Sequence, residues 1–152
     1  MPSPQQNHPK RSAHILLVDD NCDGVLARRS VLEELGYHVV SACCGREALL
    51  RTEEQAFDLV ITDYRMSPMN GLEFIRELRQ RQFRNPIILL SGFADTIGLN
   101  PEDTGADSVI QKSANEITTL VRQTNRLLNP KKPAGSQRSG RMPLRARGAG
   151  GS

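Results

Sequence analysis

Five polar residues fall at the predicted ends of buried strands, and together they could carry out phosphoryl transfer. They are Asp19, Asp20, Asp63, Ser91 and Lys112. Clustered carboxylates attract a hard cation, and Mg²⁺ prefers oxygen ligands and often bridges to phosphate. A carboxylate can also be the nucleophile that forms an aspartyl phosphate. An ammonium and a hydroxyl would then contact the phosphoryl oxygens.

Each of these residues, taken alone, has an ordinary structural explanation. An Asp after a strand often caps the next helix, which is the alternative for Asp20. Asp63 alone fits a turn former, and Ser91 with Gly92 fits a plain turn. Lys112 alone fits a solvated surface charge. We favour the functional interpretation because all of these alternatives would have to hold together at one edge of one sheet.

Five short apolar runs alternate with helical patterns along the chain. The predicted strands cover residues 14–18, 37–43, 57–62, 86–90 and 108–111. The predicted helices cover residues 23–35, 45–55, 72–81, 94–104 and 115–128. This alternation predicts an α/β fold with a parallel sheet and right-handed crossovers. Such sheets bind ligands at the carboxyl ends of their strands, near a switch in strand order, so the five polar residues are expected to meet there.

Two of the predicted helices have features of their own. The apolar residues of the first helix recur at helical intervals, and Gly36 is a natural C-terminal cap. These residues are Val25, Leu26, Leu32 and Leu35. In the fourth helix, Gly98 weakens the helical pattern and Asn100-Pro101 tends to break it. A short or distorted fourth helix is therefore expected.

The composition predicts one domain with disordered ends. Residues 1–12 are polar and Pro-rich, residues 13–129 hold the predicted domain, and residues 130–152 form a tail with six basic and no acidic residues. The rest of the chain holds 14 basic and 17 acidic residues, a net charge near −3. The three cysteines are expected to be reduced thiols, because no zinc-type spacing is present. No apolar run is long enough for a membrane span, and a cytoplasmic location is expected.

Four sequence blocks resemble the receiver domain of bacterial two-component response regulators. They are ILLVDDN, VITDYRMSPMNGLEF, ILLSGFAD and GADSVIQK, and the resemblance covers residues 13–128. It implies a flavodoxin-like, doubly wound, five-stranded parallel sheet with strand order 2-1-3-4-5. It also implies that Asp63 accepts a phosphoryl group, assisted by Ser91 and Lys112. The implied ligands of Mg²⁺ are Asp19, Asp20, Asp63 and the backbone carbonyl of Arg65.

The resemblance further implies which partners the protein has. The phosphoryl donor would be a sensor histidine kinase or a phosphotransfer protein, and the output would be contact with a downstream protein. The chain would be a stand-alone receiver, a monomer or weak homodimer, that catalyses only its own phosphorylation and dephosphorylation. No membrane partner is expected, and the basic tail would make only weak electrostatic contact with nucleic acid.

Four features depart from the family pattern, one of them the irregular fourth helix, and two of them, Val109 and Ser113, favour an alternative. Ser113 follows Lys112 where the family usually has Pro, so the bond between them is expected to be trans. Val109 stands where the family often has an aromatic switch residue, and Ser67-Pro68 alters the loop after Asp63. The alternative is a phosphorylation-independent interaction module with a degenerate switch. A metabolic enzyme is not expected, since the sequence has no Gly-rich phosphate loop and no Ser-His-Asp set.

Overall fold

The computed structural model describes residues 12–92, 99 and 101–130 of the 152-residue chain. Apart from Ser12 and Pro130, the predicted disordered ends lie outside these residues, so their disorder and the predicted domain boundaries stay predictions. Within the described residues, no helix is both long enough and apolar enough to cross a membrane.

Five strands and five helices alternate in the described part of the chain. The strands are β1 (His14–Val18), β2 (His38–Ala42), β3 (Leu59–Asp63), β4 (Ile87–Ser91) and β5 (Ser108–Gln111). The helices are α1 (Cys22–Glu34), α2 (Gly45–Glu54), α3 (Gly71–Gln80), α4 (Pro101–Thr104) and α5 (Glu116–Leu128). All strand pairs are parallel, in the order β2-β1-β3-β4-β5. The predicted flavodoxin-like topology is confirmed.

The sheet is buried on both faces because alternate residues of each strand point to opposite sides. On one face, Ile15 and Leu17 of β1 pack in a cluster with Leu32 of α1 and Leu120 of α5. The other face is covered by α2 and α3 through a cluster of buried residues that includes Leu16, Val18, Leu49, Phe74 and Ile75. Burying each such side chain stabilises the fold by roughly 1.5–3 kcal/mol, and the sheet edge is held firmly between the two layers.

The apolar residues of α1 are only partly buried. Leu32 is fully buried, but Leu26 and Leu35 are among the exposed large hydrophobic side chains, with 62% and 47% of their surface accessible. The buried stripe of α1 instead includes Arg28, which is 6% exposed. Residues 28 and 32 are four apart and therefore share one helix face. The buried face of α1 thus contains a charged residue as well as an apolar one.

The region around the fourth helix is only partly described. Helix α4 is a single turn, Pro101–Thr104, at the end of the predicted 94–104 segment. Of the earlier residues of that segment, the structure describes only residue 99. Gly98 and Asn100, which motivated the prediction of an irregular helix, lie outside the described residues. Among the described residues the only cis peptide bond is Ser67–Pro68. The bond between Lys112 and Ser113 is therefore trans, as expected.

Candidate functional site

The strand register places Asp19 beside Asp63 at the carboxyl edge of the sheet. Val18, the last residue of β1, pairs with Thr62 of β3. One residue further along, Asp19 comes opposite Asp63, which is the last residue of β3. Asp19 also remains attached to the sheet, because its N–H donates to the carbonyl of Ala42 at 3.1 Å. Two acidic groups are thus fixed at neighbouring strand ends.

Three carboxylates meet at this edge. Asp19, Asp20 and Asp63 each offer an oxygen, and these oxygens all lie within 4.8 Å of one another. Asp19 and Asp63 are buried and Asp20 is exposed. Oδ1 of Asp63 is buried, and its partner is the ammonium of Lys112. The three carboxylates are a cluster of hard oxygen donors, which fits a Mg²⁺ ion.

Lys112 supplies a positive charge to the same carboxylate. Its Nζ lies 2.5 Å from Oδ1 of Asp63, and about a third of the Lys112 side chain is exposed. The ammonium forms an ion pair with Oδ1 and acts to lower the pKa of Asp63. The Lys112 N–H donates to the carbonyl of Ser91 at 2.8 Å, which ties the residue after β5 to the end of β4.

Nearby positive charges offset only part of the cost of burying the ionised carboxyl group of Asp63. Burial raises the pKa of Asp63 above its usual range, and the nearby charge of Asp19 raises it further. Lys112 and the charge of Arg28 act in the opposite direction without cancelling the rise. The ionised carboxylate is therefore less favourable here than in water, and additional positive charge at the site would stabilise it.

The remaining two predicted site residues lie at the same edge. Ser91 ends β4 and is buried, one position beyond Leu90, the register partner of Asp63. Arg65 follows β3 by two residues and is exposed. It lines a surface cleft with Asp20, Tyr64, Met66, Ser67 and Asn70. This cleft gives a ligand or partner a path to the acidic cluster.

The backbone after Asp63 is packed tightly against the start of α3. The N–H of Tyr64 donates to the carbonyl of Leu90, and the N–H of Gly71 donates to the carbonyl of Tyr64, both at 2.7 Å. A Cβ at Gly71 would lie 2.4 Å from the carbonyl oxygen of Asp63 and 2.9 Å from Cα of Tyr64. Gly71 therefore permits a close approach that fixes the backbone of Asp63.

Arg28 is a site residue that the sequence patterns did not single out. Its Nη1 donates to Oδ2 of Asp19 at 2.6 Å, and its Nε contacts a carboxylate oxygen of Glu116 on α5. Burial acts to lower the pKa of Arg28, but the hydrogen bonds and charges of Glu116 and Asp19 raise it above its usual value. One feature of the sequence could have indicated its role: Arg28 lies four residues before Leu32 and so shares its helix face. A charged residue on a buried helix face needs buried partners.

Comparison with known proteins agrees with this geometry. The model of the family described as response regulator receiver domain matches residues 15–123. Among characterised proteins, the alkaline phosphatase synthesis transcriptional regulatory protein PhoP of Bacillus subtilis is 33% identical over 114 residues. That alignment covers 71% of this chain and 46% of PhoP. The chain thus matches less than half the length of this relative.

Two solved structures with similar folds contain magnesium. The response regulator TrrA from Thermotoga maritima, in complex with Mg²⁺ and BeF, is 32% identical with a TM-score of 0.69, covering 76% of this chain and 99% of that one. The receiver domain of sensor histidine kinase PA1611 from Pseudomonas aeruginosa, with magnesium in its active-site cleft, is 28% identical with a TM-score of 0.67. It covers 77% of this chain and 98% of that one.

Proposed function

Because the chain belongs to the family of response regulator receiver domains, we propose that it accepts a phosphoryl group on Asp63 and signals through protein contacts. The observation that carries the proposal is the Lys112 ammonium, 2.5 Å from the carboxylate of Asp63 within a cluster of three acids. A nucleophile, a counter-charge and potential metal ligands therefore occupy one edge of the sheet. Phosphoryl transfer depends mainly on such positioning and charge neutralisation.

The proposed step joins a carboxylate oxygen of Asp63 to phosphorus. As this P–O bond forms, the bond between phosphorus and the donor breaks, and the donor leaves with the electron pair. With a phosphohistidine donor the broken bond is P–N, and the imidazole takes a proton from solvent. Lys112 would neutralise a phosphoryl oxygen and the Ser91 hydroxyl would donate a hydrogen bond to another. Water reverses the modification by attacking phosphorus and releasing phosphate.

The residues proposed to hold a divalent ion are Asp19, Asp20, Asp63 and the backbone carbonyl of Arg65. When bound, Mg²⁺ would supply positive charge to the phosphoryl oxygens and help orient the donor. The raised pKa of Asp63 indicates that its ionised form lacks sufficient positive charge. A bound cation would therefore stabilise the ionised form of Asp63.

Phosphorylation by a small donor tests the proposal. Incubation of the chain with acetyl phosphate and Mg²⁺ is expected to add one phosphoryl group, seen as a mass increase of the intact protein. Removing divalent ions with EDTA is expected to abolish the labelling, and restoring Mg²⁺ is expected to recover it. The label should be released by hydroxylamine, as an acyl phosphate is. Labelling that ignores EDTA or resists hydroxylamine would contradict the proposal.

Substitution of Lys112 is expected to slow the transfer while leaving the fold intact. In Lys112→Met the developing charge on the phosphoryl oxygens loses one of the cations proposed to neutralise it, and we expect phosphorylation to become about 100-fold slower. Lys112→Arg keeps the charge and serves as the matched control, with a smaller loss. The rates come from the time course of the intact mass. Equal rates for Lys112→Met and the native chain would show that Lys112 has no part in the transfer.

The proposed partners follow from the proposed chemistry. A sensor histidine kinase or a phosphotransfer protein would supply the phosphoryl group through the cleft lined by Asp20 and Arg65. A downstream protein would recognise the modified state. We propose the cytoplasm as the compartment, because a donor kinase draws on ATP there. In this proposal the protein catalyses only its own phosphorylation and dephosphorylation.

A second candidate function is a phosphorylation-independent interaction module. Two observations favour it: β5 carries Val109 where the family often has an aromatic residue, and Asp19 is already paired with Arg28. Under this alternative the chain would keep its fold but fail to take up a phosphoryl group from acetyl phosphate at any Mg²⁺ concentration. The labelling experiment therefore distinguishes the two functions.

A further inference from the structure

Asp19 has protein partners on both carboxylate oxygens. The N–H of Asn21 donates to Oδ1 at 2.9 Å, and Nη1 of Arg28 donates to Oδ2 at 2.6 Å. The side chain of Asp19 is 1% exposed and that of Arg28 is 7% exposed. The counter-ion of Asp63 is different, because Lys112 is 32% exposed. The negative charge of Asp19 is therefore already offset in part by a buried cation that belongs to the chain.

The surroundings hold the guanidinium in this position. Gly24 lies directly beside the pair, and a Cβ there would be 3.0 Å from Nη1 of Arg28 and 3.2 Å from Oδ2 of Asp19. The absence of a side chain at residue 24 leaves room for the contact. Arg28 is also fixed from the other side, since its Nε contacts Glu116 at the start of α5. The guanidinium thus bridges β1 and α5 next to the acidic cluster.

We propose that Arg28 is a positioning residue that acts as an internal counter-ion for Asp19 and thereby weakens the binding of a divalent cation at the acidic cluster. This inference rests on the proposed function of that cluster. A divalent ion on Asp19 would share the carboxylate with a positive charge in direct contact, and like charges at this distance repel strongly in a partly buried site. Arg28 thus sets how much Mg²⁺ the site requires.

Glu116 moderates the effect of Arg28. Its side chain is 13% exposed, and its carboxylate offsets part of the guanidinium charge. Removing Arg28 should therefore strengthen cation binding, whereas removing the charge of Glu116 should weaken it. Both changes abolish the same ion pair between α1 and α5. A purely structural contribution of that ion pair would shift both variants in the same direction.

Calorimetric titration of the full chain with MgCl₂ tests the proposal. We expect Arg28→Met to bind Mg²⁺ about tenfold more tightly than the native chain, and Glu116→Gln to bind it about threefold more weakly. Arg28→Lys keeps the charge and is expected to restore an affinity close to the native one. Circular dichroism of each variant without Mg²⁺ checks that it is folded.

The outcomes separate this inference from the proposed function. If the native chain binds Mg²⁺ and Arg28→Met binds it no more tightly, the inference is overturned and the proposed function stands. If only Arg28→Met binds Mg²⁺, the inference is supported and metal-dependent phosphorylation of the native chain is not. If neither binds, both fail. Should Arg28→Met not fold, Glu116→Gln decides: weaker binding supports the inference, and unchanged or tighter binding overturns it.

Discussion

Asp63→Asn is expected to abolish phosphorylation by acetyl phosphate and Mg²⁺, because the amide oxygen of asparagine is not a nucleophile for phosphorus. The measurement is the intact mass after incubation, which should show no added phosphoryl group. Asp23→Asn is the matched control: Asp23 lies in the first turn of α1, is exposed, and is not part of the carboxylate cluster. It should be labelled like the native chain. Full labelling of Asp63→Asn would place the acceptor elsewhere.

The same variant is expected to be more stable than the native chain when divalent ions are absent. The pKa of Asp63 is raised in the folded protein, chiefly by burial. A raised carboxyl pKa means that the ionised form is less favourable in the folded than in the unfolded chain, so at neutral pH the charge opposes folding. Asparagine removes that charge at nearly the same size. Urea unfolding in EDTA should give a higher free energy of unfolding, and a lower one would contradict this account of the site.

Gly71→Ala is expected to destabilise the fold by roughly 3 kcal/mol and to disturb Asp63, the proposed phosphoacceptor. The new Cβ would lie 2.4 Å from the carbonyl oxygen of Asp63. Because this atom belongs to the backbone, and Tyr64 Cα is also within 2.9 Å, neither neighbour can rotate away. Urea unfolding measures the loss of stability. We also expect the rate of phosphorylation to fall, since relief of the clash requires the backbone of Asp63 to move.

Gly45→Ala is a closely matched control for this prediction. Gly45 and Gly71 are both buried and are both the first residues of helices, α2 and α3 respectively. A Cβ at Gly45 would meet Sδ of Met69 at 2.7 Å, the end of a flexible side chain that can change rotamer. Gly45→Ala should lower the free energy of unfolding by about 1 kcal/mol or less. If the two variants lost equal stability, the backbone contact at Gly71 would not be the cause.

The strands and the sheet could be predicted because their determinants are local. A run such as Ile15 to Val18 is apolar at every position, which is the pattern of a strand buried on both faces. Parallel topology then follows from the alternation with helices. It brings the residues at the strand ends to one edge, so the sequence alone predicts that Asp19 and Asp63 lie close together.

The strand ends were less predictable. The predicted third and fourth strands stop at residues 62 and 90, whereas β3 includes Asp63 and β4 includes Ser91. Pairing with neighbouring strands extends them, as the register of Asp63 with Leu90 shows. The sequence shows where an apolar run ends, but it does not show the hydrogen bonds to a neighbouring strand that lengthen the strand.

The sequence by itself determined the order of the elements and the residue types available at the carboxyl edge, because both depend on neighbouring residues and on general rules of chain topology. Only the tertiary structure decided that Arg28 is buried between Asp19 and Glu116 while Leu26 of the same helix is exposed. Arg28 and Glu116 are 88 residues apart in the chain. Their contact depends on how α1 and α5 pack on one face of the sheet, and no local pattern contains that distance.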